Sequence, residues 1–213
     1  MDAKKIDENL KKYLKGTTTV GIVCDEGVVV ASDSRATMGF MISDKEARKI
    51  YKINDKLAMT TAGMVGDNQT LVRIMRAQSN LQKMEGDGLS VKMAATLLAN
   101  ILNQQRYFPF LAQVIIGGHD KKGGHVFELD PVGGISEKNV ASTGSGSPVA
   151  YGVLEREYKE GISIEEGKKM AAHAINSALE RDAATGNNVR IVVIDKDGYK
   201  EVEEKEIKKL LSE

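Results

Sequence analysis

Short apolar runs rich in Val and Thr dominate the first sixty residues of the chain. They predict β-strands at residues 18–24, 27–33, 49–53 and 57–61. Asp25-Glu26-Gly27 separates the first two strands as a hairpin turn, and Asn54-Asp55 separates the second two. Val28-Val29-Val30 is continuously apolar instead of alternating, which indicates a strand buried on both faces.

Apolar residues at helical spacing follow these strands and return near the C-terminus. The predicted helix starts are Asp67, Ser90, Ser147 with Pro148 at the first helical position, and Ser163, which forms a capping box with Glu166. Further strands are predicted at 111–117, 125–129, 134–142 and 189–194, followed by a turn at Asp197-Gly198 and a polar helix at 203–211.

The order of these elements predicts the fold class. Helices occur in pairs between blocks of strands, which argues against an alternating parallel βαβ sheet. Two antiparallel sheets packed together, with helix pairs outside them, would bury both faces of the central strands. We therefore predict an α+β protein, a four-layer αββα sandwich. No linker or repeat divides the chain, so we expect residues 17–213 to form a single domain.

Composition excludes several classes of function. The 30 basic and 30 acidic residues cancel, so no overall field favours nucleic acid or an anionic membrane. No apolar run reaches the length of a membrane span. The only cysteine, Cys24, rules out an intrachain disulfide and suits the cytoplasm. The histidines lack metal-ligand spacing, and we expect neither a metal nor a cofactor.

The first sixteen residues form a charged leader that ends at a threonine run. Its apolar residues fit one face of a short helix, so the leader is compatible with a small amphipathic helix, a disordered tail or a removed segment. Cleavage between Gly16 and Thr17 would give Thr17 a free amine beside its hydroxyl, which unites a nucleophile and a general base in one residue. The simpler alternative is that residues 17–19 only begin a strand.

The motifs along the chain support the first interpretation. They are Gly-Thr-Thr-Thr-Val-Gly at 16–21, Ala-Ser-Asp-Ser-Arg-Ala-Thr at 31–37, Ala-Arg-Lys-Ile at 47–50, Thr-Ala-Gly at 61–63, Gly66-Asp67, Arg106-Tyr107-Phe108-Pro109, Thr-Gly-Ser-Gly-Ser at 143–147 and Arg181-Asp182. With these motifs in this order, the chain from Gly16 onward resembles the proteasome β-subunits of archaea, in the N-terminal nucleophile hydrolase family.

This resemblance implies catalytic roles for Thr17, Asp33, Lys49, Gly63, Ser145, Asp182 and Thr185. Thr17 would be the nucleophile, and the Lys49 cation, paired with Asp33, would lower the pKa of its hydroxyl and amine. The backbone N–H of Gly63 would form the oxyanion hole. The remaining three would support the amine, although the family usually has serine where this chain has Thr185.

The resemblance also implies a substrate-binding pocket formed by Ala36, Thr37, Ala47, Thr61 and Val65. None of these residues is charged, so we expect an apolar substrate residue before the cut. Gly144-Ser145-Gly146 could be mistaken for a phosphate loop. It lacks the lysine ending of that motif, which excludes nucleotide binding there.

The implied function is a threonine endopeptidase that degrades unfolded proteins with broad specificity. The chain would be a precursor, residues 1–16 its propeptide, activated by self-cleavage between Gly16 and Thr17. Its implied partners are further copies in heptameric rings, proteasome α-subunits, and an ATP-dependent unfoldase that acts through the α-ring. One alternative is a ring subunit without catalysis, which the presence of Thr17, Asp33 and Lys49 disfavours. Another is the related bacterial ATP-dependent protease subunit, which the leader and C-terminal extension disfavour.

Overall fold

The computed structural model describes residues 16–38, 41–86 and 88–212. In that part of the chain the strands are β1 (Thr18–Cys24), β2 (Gly27–Asp33), β3 (Ala36–Met38), β4 (Met41–Asp44), β5 (Ile50–Asn54), β6 (Leu57–Gly63), β7 (Ala112–Asp120), β8 (Gly123–Leu129), β9 (Ile135–Glu137), β10 (Val140–Gly144), β11 (Val189–Asp195) and β12 (Gly198–Glu201). The helices are α1 (Val65–Glu85), α2 (Val91–Gln104), α3 (Ser147–Glu157), α4 (Ile164–Arg181) and α5 (Glu204–Ser212). Residues 1–15 of the leader, for which a short helix was one of three interpretations, lie outside the described residues.

Ten of the described strands form two antiparallel sheets of five. The first sheet has the order β10-β1-β2-β11-β12, and the second has the order β5-β6-β7-β8-β9. Strands β3 and β4 form a separate short hairpin. The central pair of the first sheet, β1 and β2, has the boundaries predicted from the sequence.

Three apolar clusters fill the spaces between four layers. One cluster joins α1 and α2 to the second sheet, and another joins α3, α4 and α5 to the first sheet. The third lies between the two sheets and includes Val28, Ala58, Ile115 and Val126. The predicted αββα sandwich is therefore confirmed.

Strand β2 shows why its sequence does not alternate. Val29 and Ala31 belong to the cluster under the helices, whereas Val28 and Val30 belong to the cluster between the sheets. Because successive side chains of a strand point to opposite faces, a strand in an inner layer needs apolar residues on both. The interpretation of Val28-Val29-Val30 as a doubly buried strand is confirmed.

Two of the predicted helix caps are confirmed. The Ser90 hydroxyl accepts a hydrogen bond from the Met93 N–H, and Ser163 forms a reciprocal capping box with Glu166. None of the helices among the described residues combines the length and apolar character needed to cross a bilayer.

The other two predicted caps are wrong. Helix α1 begins at Val65, so Asp67 lies in its first turn, where its carboxylate accepts a hydrogen bond from the Leu111 N–H at 2.8 Å. The N-cap of α3 is Gly146, one residue before the predicted Ser147. In both helices the N-cap lies N-terminal of the predicted polar residue. The position of that residue therefore predicts a helix start too late in the chain.

The predicted strand at 134–142 is also corrected. It consists of two strands, of which β9 pairs with β8 in the second sheet and β10 pairs with β1 in the first. The chain therefore crosses between the sheets within this segment. The hairpin of β3 and β4 was not predicted, because its second strand is exposed along its whole length and lacks an apolar alternation.

A substitution at Gly117 in β7 tests how closely the two sheets pack. A Cβ atom at this position would lie 2.8 Å from Val30 Cγ1 of the opposite sheet. We expect Gly117→Val to lower the free energy of unfolding by about 1–3 kcal/mol through overpacking. Chemical denaturation of the purified chain measures this loss.

Gly152 in α3 provides the control, because a Cβ atom there would meet nothing within 4 Å. Gly152→Ala should raise stability by up to about 1 kcal/mol, since alanine favours the helix. Equal stability of Gly117→Val and the wild type would contradict the close packing of the sheets.

Candidate active site

Five of the predicted site residues lie at the ends of strands along one edge of the sandwich. Thr17 immediately precedes β1, Asp33 ends β2, and Ser145 follows β10, all in the first sheet. Lys49 immediately precedes β5 and Gly63 ends β6, both in the second sheet. The candidate site is therefore divided between the two sheets.

The carboxylate of Asp33 is a completely buried hydrogen-bond acceptor at the centre of this site. Its Oδ1 accepts from the Thr18 N–H at 3.0 Å and from the Lys49 ammonium at 2.7 Å. Its Oδ2 accepts from the N–H groups of Arg35 at 3.1 Å and Gly186 at 2.9 Å. One carboxylate thus binds three backbone N–H groups and one side-chain ammonium.

The Lys49 side chain is also buried, with 5% of its surface exposed. Burial lowers the pKa of its ammonium below the ordinary value, because a low-dielectric environment disfavours the charged form. The charge and hydrogen bond of Asp33 act in the opposite direction. The predicted pairing of Lys49 with Asp33 is present in the structure as a buried ion pair.

Thr17 lies beside this pair with its hydroxyl on the peptide bond that precedes it. The hydroxyl donates a hydrogen bond to the Gly16 carbonyl oxygen at 2.7 Å. The Lys49 ammonium donates to the same oxygen at 3.3 Å. A hydroxyl and a cation therefore converge on one carbonyl group in a nearly water-free environment, since only 3% of the surface of Thr17 is exposed.

Gly16 occupies a position that admits no side chain. A Cβ atom built on it would lie 1.8 Å from the Cβ atom of Ala184. The Gly16 N–H donates a hydrogen bond to the Thr37 hydroxyl at 3.1 Å. These contacts hold the peptide bond between residues 16 and 17 from both sides.

A second polar network reaches Thr17 from the other side. The Ser145 hydroxyl accepts a hydrogen bond from the Thr17 N–H at 3.2 Å and donates to Asp182 Oδ2 at 2.5 Å. Thr185 donates to the same carboxylate oxygen, and its hydroxyl also lies 2.7 Å from that of Thr18. The hydroxyl of Thr185 is thus part of the network, and its additional methyl group does not displace it.

Gly63 lines a cleft together with Gly16, Gly144, Ser145 and Ala184. Its φ angle of +134° lies in a region that side chains rarely adopt, and a Cβ atom would lie 2.0 Å from the Leu111 carbonyl oxygen. Only glycine fits here, and it leaves the backbone open to the cleft. This placement agrees with an oxyanion-hole role, which stays a prediction.

The structure places the predicted pocket residues in several environments. Thr37 contacts Gly16, and the Thr61 N–H donates to the Lys49 carbonyl at 3.0 Å, which brings both close to the site. Ala36 is buried in β3, Ala47 is half-buried, and Val65 begins α1 two residues after Gly63. Their role in substrate binding stays a prediction.

Arg35 is a site residue that the sequence analysis missed. Its guanidinium donates to the side-chain oxygen of Asn187 at 2.9 Å and to the Ala183 carbonyl at 3.1 Å. It also lies against Gly186, where a Cβ atom would be 2.0 Å from its Cζ. Arg35 therefore fixes the loop that carries Gly186 onto Asp33. Its position two residues after Asp33, in the motif at 31–37, could have indicated that it lies near the site.

No metal centre accompanies these residues in the described ranges. No group of three or more His, Cys, Asp or Glu side chains there is arranged to hold a metal ion. Of the three histidines, His125 lies in β8, where its ring is 2.8 Å from the Glu137 carboxylate. The chemistry available at the site is that of three hydroxyls, those of Thr17, Ser145 and Thr185, together with an ammonium and two carboxylates.

The four-layer sandwich of two antiparallel sheets between helix layers is the fold of the N-terminal nucleophile hydrolases. Comparison with known proteins agrees. Residues 13–194 match the family model described as proteasome subunit. The chain therefore belongs to the proteasome subunit family.

Curated archaeal relatives are similar over most of their length. The chain is 55% identical to a proteasome subunit beta of Methanocaldococcus vulcanius, over 93% of this chain and 90% of the relative. It is 52% identical to one of Methanothrix thermoacetophila, over 92% and 96%, and 51% identical to one of Methanosarcina mazei, over 92% and 95%. These similarities confirm the resemblance to β-type subunits of the archaeal proteasome.

The substitution Asp33→Asn tests whether the Asp33 carboxylate stabilises the fold around the site. Both oxygens of Asp33 accept hydrogen bonds from N–H donors, so an amide NH₂ in either orientation would face a donor. The Lys49 ammonium would also lose its counter-charge. We expect the free energy of unfolding to fall by about 3–5 kcal/mol, measured by chemical denaturation.

The exposed ion pair between Glu204 and Lys208 in α5 supplies the control. Glu204→Gln removes one charge of a solvated pair in the first turn of the helix and should lower the free energy of unfolding by less than about 1 kcal/mol. If Asp33→Asn were as stable as this control, the carboxylate would not hold the site together.

Proposed function

We propose that this chain is the precursor of a threonine endopeptidase and that it activates itself by cleaving the bond between Gly16 and Thr17. The observation that carries the proposal is the convergence of the Thr17 hydroxyl and the Lys49 ammonium on the Gly16 carbonyl. Membership in the proteasome subunit family supports a peptidase.

Self-cleavage follows from this arrangement in two steps. The Thr17 oxygen attacks the Gly16 carbonyl carbon, and the Lys49 ammonium stabilises the negative charge that develops on the carbonyl oxygen. The Thr17 hydroxyl gives up its proton as the oxygen–carbon bond forms, and the bond between Gly16 and the Thr17 nitrogen breaks as the nitrogen takes up one proton, so that no net proton is gained or lost. The resulting ester between Gly16 and the Thr17 oxygen is hydrolysed by water, which releases a Gly16 carboxylate and a Thr17 with a free amine and hydroxyl.

The released Thr17 then acts on other peptides. An unperturbed α-amine has a pKa of about 7.7–8.0, close to working pH, where a general base is most effective. The Ser145 hydroxyl already contacts the nitrogen of Thr17 and is held by Asp182, so this pair orients the amine. Thr185 supports the same carboxylate.

Lys49 tunes the nucleophile in both reactions. Its cation favours the deprotonated form of a neighbouring hydroxyl, which makes the Thr17 oxygen more reactive. Gly63, at the side of the same cleft, would donate its backbone N–H to the oxyanion of the substrate.

The proposed working form is an assembly in the cytoplasm. By resemblance, copies of this chain form heptameric rings with proteasome α-subunits outside them, and an ATP-dependent unfoldase supplies unfolded proteins. Large apolar side chains on the surface support association, among them Met38, Met41, Tyr107 and Phe108, which are 60–88% exposed in the isolated chain. A closed chamber would explain broad specificity for unfolded chains.

Self-cleavage is tested by the mass of the chain after assembly with an α-ring partner. Wild-type chains should lose residues 1–16 and begin at Thr17, whereas Thr17→Ala should stay uncleaved because it lacks the attacking oxygen. Thr70→Ala removes an exposed hydroxyl in α1 and should be cleaved like the wild type. Active particles that begin at Met1 would refute the assignment of the nucleophile.

Peptide hydrolysis by intact rings tests the catalytic roles. Thr17→Ala, prepared without the leader, should be at least about 10³-fold less active, because the nucleophile is lost. Thr17→Ser keeps a hydroxyl and should retain part of the activity. Lys49→Ala should lose most of it, since the cation that tunes Thr17 is removed.

Native mass spectrometry must first show that each variant forms complete rings, because a loss of assembly would imitate a loss of chemistry. If rings of Thr17→Ala hydrolyse peptides at the wild-type rate, the threonine peptidase is excluded. If wild-type rings are complete but inactive, the alternative of a subunit without catalysis is correct.

A further inference from the structure

Three buried threonine hydroxyls connect the two sheets directly behind the candidate site. Thr60 in β6 of the second sheet donates a hydrogen bond to the Thr19 hydroxyl in β1 of the first sheet at 3.0 Å. The Thr19 hydroxyl also lies 2.7 Å from that of Thr143 in β10. At most 3% of the surface of any of these residues is exposed. We call them the threonine bridge.

Each member of the threonine bridge stands close in sequence to a site residue. Thr19 is two residues after Thr17, and Thr143 is two residues before Ser145. Thr60 is three residues before Gly63. In addition, Thr60 lies opposite Ile50 across the β5–β6 pair, and Ile50 directly follows Lys49. Thr60 therefore lies close to both site residues of the second sheet, Gly63 along its own strand and Lys49 across the neighbouring strand.

Most of the other described side chains between the sheets are apolar. Val30, Ala58 and Ile115 fill this space together with other aliphatic side chains. Such contacts are non-directional, so they constrain the relative position of the sheets along the interface less sharply than a hydrogen bond does. A hydrogen bond between buried hydroxyls does fix it, because its energy depends steeply on distance and angle.

We propose that Thr60 is a positioning residue for catalysis, which sets Lys49 and Gly63 of the second sheet against Thr17 of the first. This inference rests on the proposed peptidase function and deepens it. Thr60 does not touch the reacting atoms. It acts through the hydrogen bond to Thr19, which holds the two halves of the site in register.

The experiment compares processed rings of Thr60→Val, Thr60→Ser and the wild type on one fluorogenic peptide. Valine keeps the shape of threonine but removes the hydroxyl. We expect kcat to fall about tenfold, because small displacements of catalytic groups cost large factors in rate. KM should stay within about twofold, since the substrate contacts are unchanged. Thr60→Ser retains the hydroxyl and should restore most of kcat.

Ser32→Ala is the matched control. Ser32 lies opposite Thr19 across the β1–β2 pair and is completely buried, yet its hydroxyl has no hydrogen-bond partner among the described residues. This variant removes a hydroxyl from the same layer without breaking the threonine bridge. Its kcat should therefore match the wild type, and unfolding midpoints of all variants report any general loss of stability.

The possible outcomes separate the two proposals. A wild-type kcat in complete Thr60→Val rings overturns the positioning role, as does an equal loss of kcat in Ser32→Ala. If Thr60→Val does not assemble, Thr60→Cys, with its weaker hydrogen bond, should show the same fall in kcat, and a wild-type value there overturns the role. Complete wild-type rings without activity overturn the peptidase function itself, and the positioning role with it.

Discussion

The ion pair of Asp33 and Lys49 is the constraint on which the rest of the site depends. A buried ammonium and a buried carboxylate are each costly, so neither is stable without the other. The carboxylate also accepts hydrogen bonds from three backbone N–H groups, including that of Thr18 next to the proposed nucleophile. The buried charge of Asp33 must be neutralised by Lys49 for the fold to be stable. Because the same carboxylate holds the backbone at Thr18, it also fixes the position of the neighbouring Thr17 hydroxyl.

The layered architecture explains why this pair can exist. Asp33 ends a strand of one sheet and Lys49 precedes a strand of the other, so the ion pair closes the edge of the interface between the sheets. Deeper in the same interface the side chains are aliphatic, and the threonine bridge lies between the two zones. The buried hydroxyls of the threonine bridge are tolerated because each of them has a hydrogen-bond partner.

Local signals were sufficient for the parts of the fold that local interactions determine. Strands β1 and β2 and the caps Ser90 and Ser163 were predicted because their turns and hydrogen bonds involve neighbouring residues. The crossing of residues 134–142 between sheets depends on long-range pairing and was not predictable. The site required a family resemblance, since Asp33 and Lys49 in isolation resemble ordinary surface charges, and the contacts of Arg35 required the structure.

The contacts around Thr17 are suited to both states of the proposed cycle. The Ser145 hydroxyl accepts from the Thr17 N–H while the peptide bond to Gly16 is intact. A free amine on the same nitrogen would retain this partner, because Ser145 is anchored by Asp182 instead of by the leader. Lys49 contacts Asp33 and the Gly16 carbonyl, and only the second contact disappears on cleavage. In the proposed cycle, the geometry needed for catalysis would therefore exist before activation, and removal of the leader would open a site that is already assembled.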